Sequence, residues 1–128
     1  FTHFASDLAN GTLPQFSFIV PNVNDDAHNG SLARADSWLR THIAPLIASP
    51  TFQKNGLLLI VCDESVDSDH AFGGGHIAMI AVGPAVKKGS KSSVLYQHQN
   101  LLKTAMEALG LSSFPGAAAS APATVGLF

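Results

Sequence analysis

Two adjacent acids, Asp63 and Glu64, are the residues best placed for chemistry, because they directly follow the strongest apolar run of the chain, LLLIVC at 57–62. In α/β sheets, ligand and catalytic groups gather beyond the carboxyl ends of strands. Adjacent carboxylates repel each other unless a cation or protons offset their charge. A hard divalent cation with oxygen ligands would offset it, whereas a solvated turn is the alternative interpretation.

A histidine follows a second apolar run in a similar way. The run FSFIV at 16–20 leads through PNVNDDA to His28, so that Asp25 and Asp26 lie just before this histidine. Beside a metal-held phosphate, a histidine can ligate the metal, donate to a phosphoryl oxygen or transfer a proton. Alternatively, the acids only precede a helix, where negative charge near the N-terminus is favourable.

Between Glu64 and the next apolar run, the loop 65–76 combines acids and histidines with three consecutive glycines at 73–75. Such a loop suits a second cation or a backbone-lined anion pocket. The glycines lack the spacing of a phosphate-binding loop, so a flexible loop is the alternative. The titratable residues of this loop are Asp67, Asp69, His70 and His76.

His98 begins the last predicted helix, where it either points into the site or only contributes to the first helical turn. The chain contains neither a Gly-x-Ser-x-Gly motif nor a Cys–His protease signature. A serine or cysteine hydrolase therefore finds no support.

The elements that position these residues read as an α/β fold. Three continuous apolar runs, at 16–20, 57–62 and 77–82, predict strands buried in a largely parallel sheet, with a mixed sheet as the alternative. Apolar stripes predict helices at 32–48 and 98–109, the first kinked or split by Pro45. Because parallel strands end at one edge, we expect His28, Asp63 and Glu64 to share a site.

Composition limits the classes of function. The 128 residues are enough for one domain, the net charge is −2, and no basic patch favours nucleic acid. No apolar run is long enough to span a bilayer. Charged residues make up only 12% of the chain, where about a quarter is usual, which indicates a covered partner surface or a piece of a larger protein. We predict a domain at 1–113 and an extended Ala/Pro/Ser-rich tail at 114–128.

The order of motifs resembles the phosphoesterase family of acid phosphatases and phospholipase C enzymes, known from bacteria, within the alkaline phosphatase superfamily. The similar segments run from residue 7 to residue 111, in order. They are DLANGTLPQFSFIVPN (7–22), NDDAHNGS (24–31), LLIVCDES (58–65), GGHIAMIAVGP (74–84) and YQHQNLLKT (96–104). The resemblance implies the C-terminal half of an α/β/α sandwich of the alkaline-phosphatase type.

The resemblance also implies roles for individual residues. Asp63 and Glu64 would be ligands of a divalent cation, and His28 would be the catalytic residue facing the phosphoryl group. Asp25, Asp26 and His98 would line the site. The substrate would be a phosphate ester, with free phosphate as a second ligand, and the protein would be exported to the periplasm or secreted.

Family enzymes carry their nucleophile and a Glu-Asn metal-binding pair in an N-terminal half, and this chain contains neither. Ser65 is the hydroxyl nearest the acid pair, and no adjacent base marks it as activated. We therefore expect a hydrolase fragment that is inactive alone, completed by the missing half or by a second copy. The alternative is a non-catalytic module that binds a metal, an anion or another protein.

Overall fold

The computed structural model describes residues 2–124 and 128, which form a mixed α/β structure. The predicted α/β class is thus confirmed. The elements are α1 (Thr2–Asn10), α2 (Leu32–His42), α3 (Ala44–Ala48), α4 (Pro50–Asn55), β1 (Leu58–Val61), β2 (Met79–Val82) and α5 (His98–Ala108), with 3₁₀ helices at Ala71–Gly73 and Gly116–Ala119.

The strands β1 and β2 form a two-stranded antiparallel sheet, in which Leu58 pairs with Val82 and Val61 pairs with Met79. The predicted strands at 57–62 and 77–82 are confirmed over residues 58–61 and 79–82, but they are not parallel to each other. Parallel neighbours need a crossover, usually a helix, that returns the chain to the starting end of the sheet. The connection 62–78 contains only one 3₁₀ helix, and it returns the chain to the sheet at the end where β1 finishes.

The predicted strand at 16–20 is wrong, because these residues have no regular secondary structure. A strand needs a neighbour that satisfies its backbone N–H and C=O groups. The sheet of the described residues contains only β1 and β2. Phe16, Phe18 and Val20 are accordingly 55%, 83% and 69% exposed.

Proline marks the boundaries between α2, α3 and α4. The predicted helix at 32–48 is split at Ile43, because Pro45 has no N–H to donate and its ring clashes with the carbonyl of Thr41. The next proline, Pro50, begins α4 instead of only ending the preceding helix. Ser49 caps α4 by accepting a hydrogen bond from the Phe52 N–H at 3.3 Å.

The predicted helix at 98–109 is confirmed as α5, and both of its ends are capped. At the start, the Gln97 N–H donates to Asn100 Oδ1 at 2.8 Å in a capping box. At the end, Gly110 has φ +76°, and the Leu111 N–H donates to the Met106 carbonyl at 3.0 Å. This is a left-handed glycine cap.

The described part of the predicted tail packs against α5 and is not simply extended. Asn100 and Lys103 donate to the carbonyls of Pro122 and Ala121 at 2.8 and 2.7 Å, and the Thr104 hydroxyl contacts the Thr124 hydroxyl. The tail buries small side chains, which is possible because its 3₁₀ helix presents Ala118, only 1% exposed. Residues 125–127 of the predicted tail lie outside the described residues, and the division at residue 113 stays a prediction.

The junction of α2 and α3 contributes Ile43 to the small core, where this residue is 3% exposed. We expect Ile43→Ala to lower the free energy of unfolding by about 2 to 5 kcal/mol, because it removes buried methyl groups and leaves a cavity. Urea denaturation followed by circular dichroism measures this. Leu32→Ala is the control: Leu32 is 80% exposed, and its loss should change stability by no more than about 0.5 kcal/mol. Equal losses in the two variants would contradict this account of the core.

Candidate functional site

The acid pair lies just beyond the end of β1, with both side chains exposed to solvent. The Glu64 N–H donates to Asp63 Oδ1 at 3.0 Å. Neither carboxylate has a basic partner among the described residues, where ion pairs join Asp25 to Arg34 and Asp36 to Arg40. The charge of the pair is therefore uncompensated within the described residues, and an ion can reach it from solvent.

The loop that follows the acid pair is organised around Asp69. This carboxylate accepts hydrogen bonds from the backbone N–H groups of His76 at 2.9 Å and Ala71 at 3.1 Å. Those bonds, the His76 bond first, hold the pKa of Asp69 below its usual value. Both oxygens are thus occupied in closing the loop. Asp69 therefore links residues 71 and 76, on the two sides of the glycine run, through their backbone N–H groups.

Gly75 is the one glycine of the run whose surroundings admit no side chain. Its φ is +75°, and a Cβ there would lie 2.5 Å from the Cβ of Ser65 and 2.6 Å from the Asp69 carbonyl oxygen. The Ser65 N–H donates to the Gly74 carbonyl at 2.8 Å. The glycine run therefore allows the loop to fold back onto the residue that follows the acid pair.

Asp25 stabilises the second acidic loop, at 22–30, through hydrogen bonds to its carboxylate. Its two carboxylate oxygens accept from Arg34 Nε and from Asn22 Nδ2, each at 2.6 Å. The hydrogen bond from Arg34 is the largest cause that lowers the pKa of Asp25 below its usual value. Asp25 was predicted to line the site, but its oxygens are engaged within its own loop and with α2. The role of Arg34, which lies nine residues away, has no signal in the sequence.

The loop at 22–30 also carries His28, whose side chain is exposed to solvent. The His28 N–H donates to Asp26 Oδ1 at 2.8 Å, so Asp26 holds the backbone of the histidine. Gly30 allows the loop to close, because a Cβ there would lie 1.9 Å from the Asn24 carbonyl oxygen. The ring of His28 is left accessible for a ligand by this arrangement.

The ion pair between Asp25 and Arg34 predicts that the stability of the fold depends on pH. The folded pKa of Asp25 lies below its ordinary value of 3.8. The stabilisation that ionised Asp25 gives to the folded chain is therefore complete at pH values well above 3.8. It is lost as pH falls through the folded pKa, since the unfolded chain binds the proton first. We expect the difference in unfolding free energy between the wild type and Asp25→Asn to shrink between about pH 6 and about pH 3.

Urea denaturation at several pH values measures this difference. In an Arg34→Gln background, Asp25→Asn should produce a much weaker pH dependence, because the main cause of the shift is gone. A pH dependence that is unchanged by Arg34→Gln would contradict the assignment.

His98 reaches back to the acid pair from the start of α5. Its Nε2 lies 2.7 Å from the carbonyl oxygen of Asp63. The neighbouring Gln97 donates from Nε2 to the Phe72 carbonyl in the same loop at 3.1 Å. The structure therefore places His98 beside Asp63, and it also shows a contact of Gln97 that the sequence did not indicate.

The donors around Asp63 suit a divalent cation in kind but not in number. Two carboxylates match the oxygen ligands that hard cations prefer, yet such ions take six or more ligands. Within residues 2–124 and 128, no three His, Cys, Asp or Glu side chains are grouped closely enough to hold a metal ion. The described residues therefore do not join His28, Asp63 and Glu64 into a three-ligand cluster, and their shared site stays a prediction.

Over the part of the chain that the structure describes, no helix combines the length and apolar character required to cross a membrane.

Comparison with known proteins shows which family and which individual proteins the chain is similar to. The family model described as "Phosphoesterase family" matches residues 1–112. An acid phosphatase of Aspergillus fumigatus is 33% identical over 116 residues, which are 88% of this chain and 25% of that protein. A phosphatidylinositol-3-phosphatase of Mycobacterium tuberculosis is 33% identical over 110 residues, which are 86% of this chain and 34% of that protein.

A phosphate-repressible acid phosphatase of Penicillium chrysogenum is 30% identical over 116 residues, covering 88% of this chain and 27% of that protein. The chain thus spans about a quarter to a third of the curated relatives it matches. These relatives include fungal proteins, so the similarity extends beyond bacteria. No solved structure matches the chain.

Proposed function

This chain belongs to the phosphoesterase family, and from that premise we propose that it forms part of a metal-dependent phosphoric ester hydrolase of the acid phosphatase or phospholipase C type. The match over residues 1–112 is the observation that carries the proposal. The exposed, uncompensated acid pair at the end of β1 supports it, because hydrolysis of a phosphate ester requires positive charge near the phosphoryl oxygens.

In this proposal, Asp63 and Glu64 hold a divalent cation through their carboxylate oxygens. The cation, when bound, would offset negative charge on the phosphoryl group. His28 donates a hydrogen bond to a phosphoryl oxygen or transfers a proton, which its exposed ring and its backbone bond to Asp26 favour. Asp25 braces the loop that carries His28.

The rest of the machinery comes from residues outside this chain, either the remaining part of a longer protein or a second copy. Coverage of only 25% to 34% of the relatives leaves room for the nucleophile and the other cation ligands. The same residues would complete the α/β/α sandwich with a largely parallel sheet. The exposed apolar segment at 16–20 would then be covered. Export to the periplasm or outside the cell is part of this proposal.

Binding of inorganic phosphate in the presence of Mn²⁺ tests the proposal. We expect calorimetry to detect phosphate binding only when the cation is present. His28→Ala should weaken it about tenfold or more, because a hydrogen bond to a charged group contributes about 1.5 to 3 kcal/mol. His3→Ala, which removes an exposed histidine from α1, is the matched control. Phosphate binding that is independent of both Mn²⁺ and His28 would overturn the proposed roles.

A second candidate function is a non-catalytic interaction module, which the exposed apolar side chains favour. Phe18 and Leu32 are 83% and 80% exposed, and a depression of about 420 Å³ lies between α1 and the 13–20 segment. Exposed apolar surface drives association when it is contiguous. Light scattering distinguishes the two candidates: self-association without cation-dependent phosphate binding would favour the module.

A further inference from the structure

The interface between α5 and the segment 114–124, which we call the strap, is the most buried part of the described structure. Seven residues among 2–124 and 128 are buried, and five of them lie in this interface. They are Asn100, Thr104, Ala118, Ala121 and Thr124. The family match ends at residue 112. The strap is therefore an element outside the matched region that packs against a helix inside it.

Polar contacts fix the strap at defined positions along α5. Asn100 Nδ2 donates to the Pro122 carbonyl at 2.8 Å, and Lys103 Nζ donates to the Ala121 carbonyl at 2.7 Å. Lys103 Nζ also lies 4.9 Å from the centre of the Phe114 ring, within the range of a cation–π interaction. α5 thus holds the strap near both of its ends.

The hydroxyl groups of Thr104 and Thr124 add a buried contact with a defined donor. The Thr104 hydroxyl donates its one hydrogen to the Asn100 carbonyl at 2.8 Å. In the contact between the two hydroxyls, Thr124 is therefore the donor and Thr104 the acceptor. Over the described part of the chain, every buried polar side-chain atom has a hydrogen-bond partner. The docked strap is a fully paired interface, which favours one defined position of the strap.

A single side chain, Asn100, joins the strap to the start of α5. Its Nδ2 donates to the Pro122 carbonyl, and its Oδ1 accepts from the Gln97 N–H at 2.8 Å in the capping box. Both atoms belong to one planar amide group, and Asn100 is only 4% exposed. The bond to the strap and the cap of the helix therefore depend on the same side-chain rotation.

The start of α5 in turn holds the loop that follows β1. Gln97 Nε2 donates to the Phe72 carbonyl at 3.1 Å, over 25 positions of the sequence. His98 Nε2 lies 2.7 Å from the Asp63 carbonyl oxygen, over 35 positions. Contacts therefore lead from the strap through Asn100 and the first turn of α5 to this loop.

We propose that the strap is a conformational device: docked on α5, it fixes the Asn100 side chain, and through the cap of α5 it holds the loop after β1 in place. A segment of this kind opens locally without unfolding the rest of a chain. Release of the strap frees Asn100 to rotate, so that the Gln97 N–H loses its acceptor and the two contacts to the loop weaken. The inference does not depend on the reaction or the ligand of the candidate site.

Two variants of the full chain separate docking of the strap from the added side chain itself. Ala118→Arg places a large cation at a residue that is 1% exposed, so the strap must leave α5. Ala119→Arg makes the same exchange at the next residue, which is exposed, and is the matched control. Neither variant changes a residue of α5 or of the loop after β1.

Nuclear magnetic resonance spectra of the backbone amides measure the effect at a distance from the strap. Hydrogen exchange of the Gln97 N–H reports the cap of α5. The Glu64 and Gly73 N–H groups belong to the peptides whose carbonyls, those of Asp63 and Phe72, accept from the start of α5. Their chemical shifts therefore report whether α5 still holds the loop.

We expect Ala118→Arg to raise the exchange rate of the Gln97 N–H about three- to tenfold, the size expected for the loss of one neutral hydrogen bond. The Glu64 and Gly73 signals should move in the same variant, whereas Ala119→Arg should match the wild type in all three readouts. Unmoved Glu64 and Gly73 signals in Ala118→Arg would overturn the proposal. So would equal shifts in the two variants, since these would reflect only the added charge.

A further variant decides the question if Ala118→Arg does not fold. Lys103→Met keeps the apolar stem of the side chain but removes the donor to the Ala121 carbonyl and the cation beside Phe114. It should speed exchange of the Gln97 N–H and move the Glu64 and Gly73 signals in the same direction, by a smaller amount. A folded Lys103→Met chain with wild-type Gln97 exchange and unmoved loop signals would contradict the role of the strap.

Discussion

Replacing Asp63 with alanine is expected to abolish the binding of divalent cations by this chain. The wild type should bind Mn²⁺ weakly, with Kd roughly 10⁻⁴ to 10⁻³ M, because two carboxylates supply few of the six or more ligands that hard cations take. Removing one carboxylate leaves Glu64 as a single exposed acid, which has no special affinity for an ion. Calorimetry or Mn²⁺ electron paramagnetic resonance measures the loss.

The matched control for this prediction is Asp36→Ala. Asp36 is also exposed, but it forms an ion pair with Arg40 at 2.9 Å along α2. Its loss should leave Mn²⁺ binding unchanged, although the net charge changes by the same amount. Equal weakening in Asp36→Ala and Asp63→Ala would mean that Mn²⁺ responds only to net charge, and the assignment of the acid pair would be wrong.

The second large effect is an absence of turnover. With 4-nitrophenyl phosphate and Mn²⁺, we expect the 128-residue chain alone to hydrolyse no more substrate than the buffer does. Loss of a nucleophile from a hydrolase costs on the order of 10⁶ in kcat. Ser65 is the hydroxyl nearest the acid pair in sequence, and its backbone N–H is used to close the loop onto Gly74. Its hydroxyl hydrogen-bonds with the Asp69 carboxylate, but the backbone N–H groups of His76 and Ala71 hold the pKa of Asp69 below its usual value, which makes Asp69 a weak base for activating Ser65.

Ser65→Ala is the variant that makes this second prediction decisive. Wild type and Ser65→Ala should be indistinguishable in the assay, while a full-length acid phosphatase run in parallel shows that the conditions permit hydrolysis. Steady, metal-dependent turnover by the purified chain that disappears in Ser65→Ala would reverse the conclusion. Ser65 would then be the nucleophile, and no residue from outside the chain would be needed.

Local signals in the sequence determined which segments form regular structure. The apolar runs at 57–62 and 77–82 predicted β1 and β2 because continuous β-branched and aliphatic residues favour buried strands. The missing N–H of Pro45 separated α2 from α3. Gly110 marked the end of α5 because its positive φ costs glycine little. Each of these properties acts within a few residues of the position that carries it.

Local signals do not decide an element that depends on a distant partner. The run at 16–20 has the composition of a strand, but only a neighbouring strand can satisfy its backbone groups, and the described residues provide none. The antiparallel pairing of β1 with β2 depends on how the loop 62–78 returns. That return depends on Asp69 bonding to the His76 N–H, which a list of residues does not reveal.

The candidate site divides in the same way between local and tertiary causes. The sequence by itself located Asp63 and Glu64 at the end of a strand, because that position follows from the run before it. Only the tertiary structure shows that Arg34 is hydrogen-bonded to Asp25 and that His98 is hydrogen-bonded to the Asp63 carbonyl. Such contacts form when helices and loops pack in three dimensions. A hydrogen bond between residues 35 positions apart leaves no trace in spacing or periodicity.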